Sequence, residues 1–127
     1  MFVSYVYCVY VVDFIECSRR NFRKFLMQSI VRDLTVVANQ EEIADKKELA
    51  KQIIKMCREN SFQSIKFSYD MVCPTELQIN VYKTEKDLND NKKFCEIEYS
   101  SEEENEEYDI IHNPEKFILH VDGEKVE

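Results

Sequence analysis

The side chains of this 127-residue chain best placed to do chemistry are its cations, and they fall in two groups. Lys47, Lys51, Lys55 and Arg58 recur at i, i+4, i+8 and i+11, which on a helix is one stripe on one face. Like charges one turn apart repel by a few tenths of a kcal/mol, and an ordinary solvated helix more often alternates its signs. No acid interrupts this row, although Glu48 and Glu59 lie beside it, so the stripe suits an extended anion such as an RNA backbone. Arg19, Arg20, Arg23 and Lys24 form the second group, at the start of an expected helix. Cations there oppose the helix dipole at about 0.3–1 kcal/mol each when exposed, a cost that a bound phosphate would offset. The competing readings are a plain solvated face for the row and, for the second group, a boundary wrong by one turn or an acidic tail folded back onto it.

Other chemistry finds little support. His112 and His120 are the only histidines, and if Asn113–Lys116 made a hairpin turn they would sit opposite Phe117 and Asp109, without converging. The five cysteines (Cys8, Cys17, Cys57, Cys73 and Cys95) are scattered with no CxxC pair, which predicts reduced thiols in a cytosolic or nuclear protein, with the cytoplasmic location preferred, and no zinc site. A single glycine leaves no glycine-rich phosphate loop. Dense carboxylates such as Glu102-Glu103-Glu104 read as a solvated loop rather than an acid/base or metal site. The expectation is a non-enzymatic protein with no cofactor, no metal and no small-molecule substrate.

Charge divides the chain. Residues 1–85 carry 12 Lys/Arg against 11 Asp/Glu, and residues 86–127 carry 5 against 14. A near-neutral body with basic helices is thus followed by an acidic extension of net −9, within a total of −8. The extension is expected to add strands to the same domain around an exposed loop at 100–107 (SSEEENEE).

Positioning these residues requires elements. Met1–Val12 is apolar and rich in Val and Tyr, which predicts a core strand; it is too short for a membrane span and lacks the basic start of a signal peptide. Ser18 is a candidate cap for a helix to about Asp33, with Phe22, Phe25, Leu26, Ser29 and Ile30 at helical spacing. Leu34–Val37 fits a short strand or a turn, and a second helix is expected from about Glu41 to Glu59. Alternation then predicts strands at Ile65/Phe67/Tyr69 and at Leu77/Ile79/Val81, with Pro74 in the turn between them. Further strands are expected at Phe94–Tyr99, and at Tyr108–His112 and Phe117–Val121 around Asn113-Pro114. The fold class is α+β: an N-terminal strand and two helices packed on one face of a mainly antiparallel sheet.

Tyr10-Val11-Val12-Asp13, Asn21-Phe22-Arg23-Lys24-Phe25-Leu26, Leu34-Thr35-Val36-Val37, the basic stretch Lys46–Asn60 and the paired segments Ile65-Lys66-Phe67 and Glu76–Tyr82 together resemble the eukaryotic large-subunit ribosomal protein twenty-two family. The likeness covers residues 10–85, and the acidic tail matches as well. The Gly- and Lys-containing hairpin that this family uses on ribosomal RNA has no counterpart between Asp33 and Leu34. The resemblance implies a structural RNA-binding protein of a ribonucleoprotein, with rRNA and neighbouring proteins as partners. Residues 20–122 are also similar to Tctex-type dynein light chains, which would imply a dimer holding a peptide at a sheet edge, though the Trp residues of that family are absent here. Two readings follow. The first is an RNA-phosphate binder using Arg19, Arg20, Arg23, Lys24, Lys47, Lys51, Lys55 and Arg58. The second is a protein-binding module or homodimer, including the variant in which the acidic tail mimics nucleic-acid charge.

Overall fold

The computed structural model of the chain describes residues 6–18, 27–59, 62, 75–101 and 108–126. In chain order these form strands β1 (Tyr7–Ser18) and β2 (Met27–Val37), helix α1 (Lys46–Glu59), strand β3 (Glu76–Tyr82) and the short helix α2 (Glu85–Asn89). Strand β4 (Cys95–Ser101), a 3-10 turn (Pro114–Lys116), strand β5 (Phe117–Val121) and strand β6 (Glu124–Val126) follow. The strands lie in one sheet in sequence order, β1 to β6, and each neighbouring pair is antiparallel except β2 and β3. The class is α+β on a mixed sheet. No helix among the described residues is long and apolar enough to cross a membrane.

Period-two burial builds the later strands. Leu77, Ile79 and Val81 of β3 are buried while Gln78 is exposed, and Cys95, Ile97 and Tyr99 of β4 alternate with exposed Glu96 and Glu98. The register lines up Leu34, Ile79, Ile97 and Val121 as one apolar row across four strands. The parallel step from β2 to β3 needs a crossover, and α1 lies in the segment that makes it. The helix buries Leu49, Ala50, Ile53, Ile54 and Cys57 and rests on β4 and β5. Its first turn is capped by Asp45, whose carboxylate accepts from the N–H groups of Lys47 (3.0 Å) and Glu48 (3.3 Å). Glu41–Asp45, expected as helix, are therefore outside it.

Three expectations are corrected. The helix from Ser18 to Asp33 is not formed over its described part: Met27–Asp33 belong to β2 and pair with Asp13–Ser18 and Val12 of β1 in an unbroken antiparallel register. The β-branched pairs Ile30-Val31 and Val36-Val37, with Thr35, favour the strand, and the continuous pairing with β1 outweighs the helical spacing there. Residues 19–26 lie outside the described residues, as do the expected strand at Ile65–Tyr69 and the Pro74 turn. The second correction concerns Tyr108–His112, which is a turn rather than a strand. The Asp109 carbonyl accepts from Asn113 N–H at 3.1 Å, and the Asp109 carboxylate accepts from the N–H groups of Ile111 (2.9 Å) and His112 (2.7 Å). A carboxylate that satisfies successive backbone donors favours the turn over a ladder. The third follows from it: β5 pairs with β4 and β6, so His120 stands opposite Glu98 and Lys125, not Asp109.

Strand β6 was not foreseen. Asp122 (φ 51°) and Gly123 (φ 87°) form a two-residue turn in which both residues are left-handed, and Val121 pairs with Glu124 across it. Asp122 also ties the turn to the rest of the molecule. Its N–H donates to the Glu96 carbonyl (2.8 Å), and its carboxylate accepts from Glu96 N–H (2.8 Å) and Lys46 Nζ (2.9 Å). No heavy atom would meet a Cβ at Gly123 within 4 Å, so a side chain there costs backbone strain alone. Gly123→Ala should lower the unfolding free energy by about 1 kcal/mol, and Gly123→Asn by less, in urea denaturation.

Candidate functional site

The inward stripe of α1 fixes what its other face presents. With Leu49, Ala50, Ile53, Ile54 and Cys57 buried, Lys47, Lys51, Lys55 and Arg58 are left exposed, one per turn, about 4.5–6 Å apart along the axis. Because α1 rests on β4 and β5 and β6 is only three residues long, the border between helix and outer strands is not filled. A cavity of 650 Å³ opens there, walled by Lys51, Lys55, Arg58 and Glu59 of α1 and by Lys125 of β6. Its floor is apolar: Ile54, Tyr99, Phe117, Leu119 and Val126. Tyr99, Leu119 and Val126 are register partners across β4, β5 and β6, and the rings of Tyr99 and Phe117 stack with centroids 5.1 Å apart.

Three of the eight expected contact residues thus share one groove. Lys47 is exposed on the same helix and lines no part of it, while Arg19, Arg20, Arg23 and Lys24 lie outside the described residues. The groove cations differ in freedom. Arg58 Nε donates to the Ile110 carbonyl at 3.1 Å, which orients its guanidinium. Lys51 stands 3.6 Å from Glu48 in an exposed pair of small energetic weight. Burial pushes the Tyr99 hydroxyl above its ordinary pKa, with Arg58 acting in the opposite sense. Lys125 escaped the sequence reading; the signal that could have found it is Asp122-Gly123, a strong two-residue hairpin turn that pairs Glu124–Val126 with β5. A second cavity of 560 Å³ on the other flank of α1 is lined by Asp45 and Glu48 as well as Lys51 and Lys55, so an anion is better placed in the first.

Elsewhere the chemistry is structural. Among the described residues no three His, Cys, Asp or Glu side chains gather as a metal site. Cys8, Cys57 and Cys95 are buried. Burial raises the thiols of Cys8 and Cys95 to about 11 and also pushes Cys57 up, which keeps them protonated and poorly nucleophilic. His112 Nδ1 lies 2.9 Å from Asp109, whose carboxylate already holds the turn. Burial works to raise the Asp109 carboxyl, but the His112 and Ile111 donors together hold it below its ordinary value. Asp122 is likewise held low, first by Glu96 N–H and then by the Lys46 ammonium.

Both carboxyls have folded-state pKa values below their unfolded ones, so they contribute stability above about pH 4, and this is lost as pH falls through the folded values. Thermal melts between pH 5 and pH 2 should fall less steeply for Asp109→Asn/Asp122→Asn than for the parent. With Cys17 and Cys73 changed to Ser, the folded protein should leave an aromatic disulfide reagent unreacted at pH 8 and release three thiol equivalents only in denaturant. No family model, no curated protein and no solved structure matches this chain.

Proposed function

We propose that this chain is a non-enzymatic, cytoplasmic RNA-binding protein that serves as a structural part of a ribonucleoprotein. The observation that supports it most is the convergence of Lys51, Lys55 and Arg58, from successive turns of α1, with Lys125 of β6 on one groove. Cations spaced one per turn can each take a phosphate, and such contacts set position and orientation rather than base sequence. The resemblance to the ribosomal protein twenty-two family points the same way. In a chain of net −8, a groove with four cations against one carboxylate stands apart from the rest of the charge.

One observation favours a second reading, a protein-binding module. Strand β1 ends the described sheet, and Val9 and Tyr10 on it are 43% and 61% exposed. An edge strand with exposed apolar side chains can accept a strand from a partner protein or a second copy.

Filter binding of the full chain to a structured RNA, across a salt series, separates the two. RNA binding should weaken with salt at a log–log slope of about 3, and Lys51→Ala/Lys55→Ala/Arg58→Ala should remove about two units of that slope. No binding even at low salt would remove the RNA reading and leave the edge strand as the working surface.

A further inference from the structure

Phosphate contact alone does not need an apolar floor. A row of cations on a convex helix would serve a duplex backbone as well, yet here Lys51, Lys55 and Arg58 border a concavity floored by Ile54, Tyr99, Phe117, Leu119 and Val126. At 650 Å³ the cavity falls in the range of organic-ligand sites, far larger than a phosphate requires. We infer that the groove binds unpaired RNA, with the backbone phosphates on the α1 cations and at least one base lying on the apolar floor between α1 and β6.

Charge and shape both select this occupant. Four cations against the single carboxylate of Glu59 make the rim anion-seeking, while the floor offers nothing to a phosphate and would be filled by the flat apolar face of a base. In an A-form duplex every base is stacked and paired, and the outer surface is ribose and phosphate, so a duplex can reach the rim but not the floor. Single-stranded nucleic-acid sites combine the same two parts, a cationic track for the backbone and an apolar or aromatic platform for bases. Stacked Tyr99 and Phe117 and the Tyr99–Leu119–Val126 row make that platform rigid, since each belongs to a paired strand. Val126 is the most open part of the floor: it is half-buried on the three-residue β6, whereas Ile54, Tyr99, Phe117 and Leu119 are buried.

This inference rests on the RNA reading, and one experiment separates their failures. The full chain is titrated with a short oligoadenylate and with the same strand annealed to oligouridylate, at fixed salt. The single strand should bind roughly tenfold tighter than the duplex. Val126→Trp, filling the groove, should erase that margin and leave the salt slope unchanged; Lys55→Ala should reduce the slope for both probes by about 0.7–0.9. Crosslinking of a 4-thiouridine-bearing strand to the unaltered protein gives a second readout, with adducts expected on the peptide containing Phe117–Val126. Equal affinity for both probes with no adduct on that peptide overturns the inference and leaves RNA binding standing. If neither probe binds at low salt, both fall. A peptide of alternating glutamate and leucine that binds where neither RNA does would assign the groove to a protein partner and overturn both.

Discussion

The parallel pairing of β2 with β3 is the constraint on which the architecture depends. Antiparallel neighbours can follow one another through tight turns, as β5 and β6 do through Asp122-Gly123, but a parallel pair obliges the chain to travel back across the sheet. The segment 38–75 makes that journey and contains α1. Once the helix must cross, its Leu49–Cys57 stripe has to meet the apolar rows of the strands, and its Lys47–Arg58 face has to look outward. The placement of the cations is therefore a by-product of how the sheet is connected.

The same geometry polarises the molecule. Alternation along β4 puts Ile97 and Tyr99 in the core or the groove floor and sends Glu96 and Glu98 into solvent. Cations gathered at α1 and β6 and carboxylates displayed by β4 thus arise from a helix period of 3.6 and a strand period of 2 acting on neighbouring elements. Asp122 joins these parts: through Lys46 it reaches the start of α1, through Glu96 it reaches β4, and its own φ shapes the turn into β6. Both walls of the groove are anchored by that residue.

Much of this was legible in the sequence, unevenly. The alternation at Leu77/Ile79/Val81 and Phe117/Leu119/Val121, and the uninterrupted cation row of α1, are local patterns that survive folding because the same face is buried throughout. The segment Met27–Asp33 misled for a physical reason. Ser29 and Ile30 fit a helical period, but the long run of pairs that β1 makes with Met27–Val37 is a tertiary effect with no local trace. Asn113-Pro114 looked like a hairpin turn, whereas the chain turns earlier, on the Asp109 carboxylate, and Pro114 opens a 3-10 turn. Of the groove, the helical wall could be read from spacing, while Lys125 and the floor could not, because they meet α1 only through strand order.

Strand order also sets the tempo of assembly. Neighbours β3 to β6 are joined by modest connections, so their ladders can zip progressively from local encounters. The β2–β3 ladder instead waits on closure of the long 38–75 segment, whose entropy must be spent before any pairing rewards it. The β1–β2 ribbon and the β3–β6 meander are each local in sequence, and the β2–β3 ladder joins them only once that segment has closed. During synthesis the ribbon emerges before β3 and remains without that neighbour until the chain has grown past Tyr82. The unpaired side of that ribbon is consequently an aggregation-sensitive edge, and its protection depends on a strand that lies nearly forty residues further along the chain.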